Sequence, residues 1–375
     1  MLTLPELQRI ASDARALRPL IAFLREQGYD LGGIARLLAL ADEPQSLLTH
    51  TALHSLVHGE ELAQQPSRLG TLVQLFLLAC PVDLRAYAAL PEPVRRLCEA
   101  NGLVALEAQH ARGRVSICEL DSRYYLADRL FENRGDHDIA LCDTAGLVMP
   151  VHESSLRLLR FLGTPRGGAF LDIGTGCGVQ AIATRNACAR SKAIDVAPRA
   201  VLFAAVNCAL NDVEIECAAA DCFTFADGRR YERIAFNAPW TVDYRSPALD
   251  ARTSPVANVA RFVDTRLEEL LAADGSCELW SIFPLPQGDE SAQQVFAREL
   301  PRPERFQIEV HAVREGGFHV GPAAIAARKL PRGCLLLQDP SDAKELLAYL
   351  ERNRIREVLP VLLRVRLRGA RGGAA

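Results

Sequence analysis

The stretch FLDIGTGCGVQ, residues 170–180, decides the fold. An apolar run of strand type ends in three glycines spaced two apart, and helical periodicity resumes at Val179. Gly174, Gly176 and Gly178 let the backbone turn sharply and approach a ligand where a side chain would collide. The same alternation continues outward. KAIDVA (192–197), IECAAAD (215–221), YERIAFNAPW (231–240) and SCELWSIFPL (276–285) read as strands. VQAIATRNACA (179–189), PRAVLFAAVNCALN (198–211) and NVARFVDTRLEELLAADG (258–275) read as the helices between them, the last with a Gly275 stop. That order predicts an α/β fold with a parallel, doubly wound sheet. RFQIEVHAVREGGFHVG, SDAKELLAYLERN and VLPVLLRVRLRG complete it as strand and Gly-rich loop, helix, and final strand.

Composition limits the partners. The chain has 375 residues, 49% of them apolar, and a formal charge of -3. That is material for two domains with cores. The first 140 residues hold 14 Arg and no Lys against 18 Asp plus Glu, so duplex nucleic acid is not an expected partner. The eleven cysteines form no C-x-x-C pair and follow no signal-peptide pattern, which predicts reduced thiols in the cytoplasm. The most apolar stretch, LGTLVQLFLLACPV, is too short to span a bilayer and is stopped at Pro81.

Residues 1–140 form a separate module in this reading. LQRIASDARALRPLIAFLREQ and IARLLALA carry helical periodicity, and a hairpin is expected around the turn-like ARGR of residues 111–114. Helices followed by a hairpin predict a winged-helix-like domain that covers substrate or pairs two copies. His50, His54 and His58 fall on one helix face, but no ligand set of known spacing completes them, so no metal is expected.

In a doubly wound sheet the ligand lies outside the carboxyl ends of the strands. Asp195 ends the second strand, 23 residues after Asp172, where a carboxylate accepts ribose hydroxyls. Asp221 ends the third, beside Phe223, positions suited to an adenine amino group and ring. The spacing G-x-G-x-G differs from the dinucleotide fingerprint G-x-G-x-x-G, and Asp172 suits a ligand whose amino-acid end carries an ammonium. The ligand favoured is S-adenosyl-L-methionine.

FLDIGTGCGVQAIA, AIDVAPRAVLFAAVNCALN and YERIAFNAPW resemble motifs one, two and four of the class I S-adenosylmethionine-dependent methyltransferases. The likeness is to the small-methyltransferase group, with release-factor glutamine and rRNA guanine-amino enzymes, and covers about residues 145–285. LVMPVHESS resembles the Pro-rich segment that precedes the first strand there, with Pro150 and Glu153 in the matching places. The resemblance implies a Rossmann-like methyltransferase core over 141–375 that binds the cofactor through Asp172, Gly174, Gly176, Gly178, Asp195, Asp221, Phe223 and Asn237. It implies that Asn237, Trp240 and Tyr244 serve the reaction, and that Glu153, Ala238, Pro239, Trp240 and Asp243 line the acceptor.

In that group the asparagine oxygen and the next carbonyl hold the target amino group while an aromatic ring stacks on its plane. The sequence here is Asn237-Ala238-Pro239-Trp240, one proline short of the usual pattern. The acceptor implied is a planar amide or amino nitrogen on a small molecule, peptide or protein. His311 and His319 flank a loop and are candidate bases for an oxygen target. Two other readings share these features. One is a natural-product methyltransferase acting on oxygen, carbon or nitrogen. The other is an S-adenosylmethionine-binding regulator without turnover, which requires a basic recognition helix; none is evident.

Overall fold

A computed structural model describes residues 1–135, 138–142, 146–164, 167–238, 255–288, 290–331, 334–337 and 342–369. The chain forms two compact units: Met1–Glu153 with Gly176–Ile182 and Ala197–Cys217, and Ser154–Thr175 with Ala183–Val196 and Ala218–Ala375.

The seven-stranded sheet comprises β1 (Ala169–Ile173), β2 (Arg190–Asp195), β3 (Glu216–Ala219), β4 (Tyr231–Asn237), β5 (Leu271–Pro286), β6 (Phe306–Ala312) and β7 (Ile355–Leu367). Their order is 3-2-1-4-5-7-6. β1 pairs in parallel with β2 and β4, and β4 with β5. The order reverses between β1 and β4, which places the crevice at their carboxyl ends. The sheet is not wholly parallel, because β7 runs antiparallel to both β5 and β6.

One face of this sheet is the core. Ile234, Phe236, Leu279, Phe283, Val361 and Leu363 pack with Val259, Phe262, Val263 and Leu267 of the helix Pro255–Leu270, all of them buried. That helix ends five residues before the expected Gly275 stop. Residues 271–275 instead bulge in β5, where Tyr231 pairs with Leu271 and Arg233 with Ser276. Gly275 is there for space, since a Cβ would sit 3.0 Å from the Glu232 carbonyl oxygen.

The other unit is mainly helical through residue 100, with one short strand at Val82–Asp83, and then turns to short strands. A capping box starts its first helix: the Thr3 side chain accepts from the Glu6 N–H, and the Glu6 carboxylate accepts from the Thr3 N–H. Val104–Leu106, His110–Gly113 and Val82–Asp83 form a small sheet. The hairpin turn therefore lies at residues 107–109, and the ARGR expected as a turn begins inside a strand. Gly113 serves packing, because a Cβ there would collide with the carbonyl of Leu75.

The helix Pro198–Leu210 belongs to this unit. Asn207, fully buried, bonds both the N–H and the carbonyl of Leu126 at 2.8 Å and the Cys177 carbonyl at 2.9 Å. Asn211, one turn on, does the same for Tyr124. Asn207 and the helix-capping Asn211 thus satisfy the edge of the strand Arg123–Ala127 that pairs with no other strand among the described residues.

The histidines of the helix Thr51–Gln64 pack. The rings of His54 and His58 stack at 5.7 Å, and His54 Nε2 lies 3.1 Å from Ser46 Oγ. Among the described residues no group of three His, Cys, Asp or Glu is arranged to hold a metal ion. Burial, helped by His58 and His50, pulls His54 down to about 4, and burial with His50 nearby does the same to His152. Unfolded, each titrates near 6.5, so the unfolded chain takes up protons first as pH falls. Thermal stability is expected to hold above about pH 6.5 and to decline from there toward pH 4. A melting series across that range checks this, with a shallower decline expected in His152→Asn.

Candidate active site

The carboxyl end of β1 begins with Asp172, which is 1% exposed. Its Oδ2 accepts a 2.7 Å bond from Thr175 Oγ1, and the Thr175 N–H donates to the Ile194 carbonyl at 3.0 Å. The loop is thereby tied to the end of β2. Gly174, Gly176 and Gly178 have φ of +63°, +54° and +83°, a region that only glycine enters without strain. A Cβ on Gly176 would meet nothing within 4 Å, and on Gly174 nothing nearer than 3.6 Å. Backbone conformation, with open space beside it, accounts for these two glycines.

Register places the predicted residues. Ile173 pairs with Ile194 and with Phe236, so Asp195, Gly174 and Asn237 come next on β2, β1 and β4, at one level. Asp195 and Asn237 are then about 10 Å apart, two strand spacings. Asp195 is half-buried, and its carbonyl accepts from the Ala220 N–H. Val196, at 73%, is the most exposed of the large apolar side chains among the described residues. An apolar residue directly after the acidic strand end is a signal that sequence reading passed over.

Asp221 is exposed, and its Oδ1 accepts from the Phe223 N–H at 2.8 Å. One carboxylate oxygen therefore shapes its own turn. The Arg261 guanidinium stands 4.3 Å over the Phe223 ring.

At the end of β4, Asn237 Nδ2 donates to Ser154 Oγ at 3.1 Å, and Asn237 Oδ1 is buried with no hydrogen-bond partner among the described residues. A Cβ on Gly174 would lie 3.7 Å from the Asn237 carbonyl oxygen, so the glycine turn and the asparagine are neighbours. The buried Ala238 donates its N–H to Trp280 O at 3.0 Å. Glu153, also buried, opens the helix Glu153–Leu162. Pro239, Trp240, Asp243 and Tyr244 lie outside the described residues.

The two candidate bases are not brought to Asn237. Asn237 pairs with Trp280, Trp280 with Leu362, and Leu362 with His311. His311 is thus three strands away, about 14 Å, and its ring packs edge-on to Phe161. His319 is held by Glu357, 2.9 Å from Nε2.

A charge cluster that sequence reading missed lies toward the other end of the sheet. Glu278, fully buried, accepts from Arg233 Nε at 3.2 Å, Arg364 Nε at 2.9 Å and Ser276 Oγ at 2.8 Å. The same arginines donate to the last turn of the helix Glu153–Leu162, Arg233 to the Leu162 carbonyl and Arg364 to that of Phe161. Cations there also match the helix dipole. A lone Glu inside the apolar run SCELWSIFPL was the available signal.

Residues 150–253 match the family model of the methyltransferase small domain. No curated protein matches. Solved structures with similarity include the M. jannaschii tRNA m1G37 methyltransferase, at 13% identity and TM-score 0.39, covering 69% of this chain and 59% of that one. Coclaurine N-methyltransferase bound to N-methylheliamine and SAH has 13% identity and TM-score 0.33, covering 58% of this chain and 72% of that one. The ribosomal protein L11 methylase from Lactobacillus delbrueckii subsp. bulgaricus has 21% identity and TM-score 0.30, covering 44% and 71%. This chain thus spans less than two thirds of the length of the tRNA enzyme. The match, confined to residues 150–253, supports an S-adenosylmethionine-dependent methyltransferase.

Proposed function

We propose that the chain binds S-adenosyl-L-methionine at the carboxyl ends of β1, β2 and β3 and transfers its methyl group to a planar amide or amino nitrogen beside Asn237. The observation that carries this is the asparagine itself. Its amide nitrogen is fixed to Ser154, while its buried oxygen, at the sheet's switch point, lacks a donor among the described residues. A buried acceptor left without a donor is costly, and an N–H of the acceptor fills that place. The Ala238 carbonyl takes the second hydrogen, and Trp240 stacks on the group. The nitrogen lone pair is then aimed at the sulfonium methyl, and positioning supplies most of the rate.

On the cofactor side, Asp195 takes the ribose hydroxyls, Val196 covers the adenine and the glycine turn leaves room for the amino-acid end. Asp221 retains one oxygen for the adenine amino group. Residues 1–140 act as the winged-helix-like module and 141–375 as the catalytic domain, in the cytoplasm, with a small molecule, peptide or protein as acceptor. Incubating methyl-tritiated S-adenosylmethionine with the chain and a cell extract, then separating low-mass, protein and RNA fractions, tests the reaction and its acceptor. Label in the low-mass or protein fraction supports the reading, and label only in RNA overturns its acceptor class.

The cofactor assignment gives a quantitative expectation. Asp195→Ala removes charge-assisted ribose contacts and is expected to weaken S-adenosylhomocysteine binding by about 1.5–3 kcal/mol. Titration calorimetry reads this directly, and unchanged affinity would remove Asp195 from the site.

A further inference from the structure

We infer that Ser154 is a positioning residue for methyl transfer, acting through Asn237; this rests on the function proposed above. The helix Glu153–Leu162 is tied to β4 at two points. Near its start, Ser154 Oγ accepts from Asn237 Nδ2, and at its end the Leu162 carbonyl accepts from Arg233 Nη2 at 2.6 Å. A ten-residue helix is about 15 Å long, and the four residues from Arg233 to Asn237 rise about 13 Å along an extended strand. Helix and strand are therefore matched in length, and Ser154 reaches Asn237 because the Arg233–Glu278–Arg364 cluster anchors the far end.

The contact has a chemical consequence. A side-chain amide rotates readily about its last torsion, which is broad and roughly two-fold. An unheld Asn237 presents its nitrogen toward the acceptor as often as its oxygen, and a nitrogen there meets the acceptor N–H donor to donor. With Nδ2 engaged by Ser154, Oδ1 faces away from the serine, buried and without a donor among the described residues. Ser154 is itself 6% exposed, so water does not readily replace its hydroxyl. It selects the orientation of the group that touches the acceptor.

The test is a double-mutant cycle with tritiated S-adenosylmethionine and whichever extract fraction takes up the label. Ser154→Ala is expected to lower kcat by about 10- to 100-fold, with cofactor affinity unchanged and Ser154→Thr restoring most of the rate. In the Asn237→Ala background, Ser154→Ala is expected to cost nothing more. An equal cost in both backgrounds, or an unchanged kcat, overturns the inference.

A readout without acceptor is the Asn237 side-chain amide pair in 15N NMR, identified by its loss in Asn237→Ala. Ser154→Ala is expected to move that pair, and unmoved resonances also overturn the inference. Failure of the methyltransferase reading looks different: no label is transferred by the wild-type chain, while the amide pair still responds to Ser154.

Discussion

Asn237→Ala is expected to lower single-turnover methyl transfer on the order of 100-fold or more while leaving S-adenosylhomocysteine affinity nearly intact. The asymmetry follows from position. Asn237 ends β4, about 10 Å across the sheet from Asp195, so its loss is expected to remove the proposed acceptor anchor and to spare the proposed ribose contact. The pH profile sharpens the expectation. A planar nitrogen needs orientation more than deprotonation, so the rate is expected to stay nearly flat from about pH 7 to 9. His311 and His319 give no reason for a rise, since one is three strands away and the other is bound to Glu357. An alanine variant that keeps its full single-turnover rate would show that Asn237 is only a strand end.

Glu278→Ala is expected to cost about 3–5 kcal/mol of stability, the usual range for breaking a buried ion pair by removing one partner. The carboxylate is fully buried, and both Arg233 and Arg364 are held to it. Without it, two partly buried guanidiniums face each other across β5, balanced only by carbonyls and by Glu309, 3.5 Å from Arg364. Glu278→Gln keeps the shape and the bond from Ser276 but not the charge, so its cost is expected to be smaller and of the same sign. Urea denaturation of the three proteins gives the comparison. A loss below about 1 kcal/mol for the alanine variant would place the cluster among ion pairs that contribute little net stability.

The parallel core was legible because strand, glycine turn and helix follow one another with periods that cannot be exchanged. The glycine turn, Asp195 and Asn237 fall at one level of the sheet, as their places at strand ends required. What the sequence hid was pairing direction and distance. VLPVLLRVRLRG reads as a buried strand whichever way it runs, so the antiparallel β7 was not visible. Spacing along the chain likewise said nothing of the two strands, β5 and β7, between Asn237 and His311. Gly275 and Gly113 misled for one reason: each is a glycine because another backbone passes close by, which local sequence does not encode. The Glu278 cluster and the Ser154 contact join residues 45 to 86 positions apart in the chain, within which no local pattern pairs them.

At the carboxyl ends of β1, β2 and β3 stands the proposed S-adenosylmethionine site. Calorimetric titration of the wild-type chain with S-adenosylhomocysteine tests it most directly. Saturable binding of one ligand per chain, displaced by S-adenosylmethionine, is expected. Absence of saturable binding, or binding that S-adenosylmethionine does not displace, would contradict it.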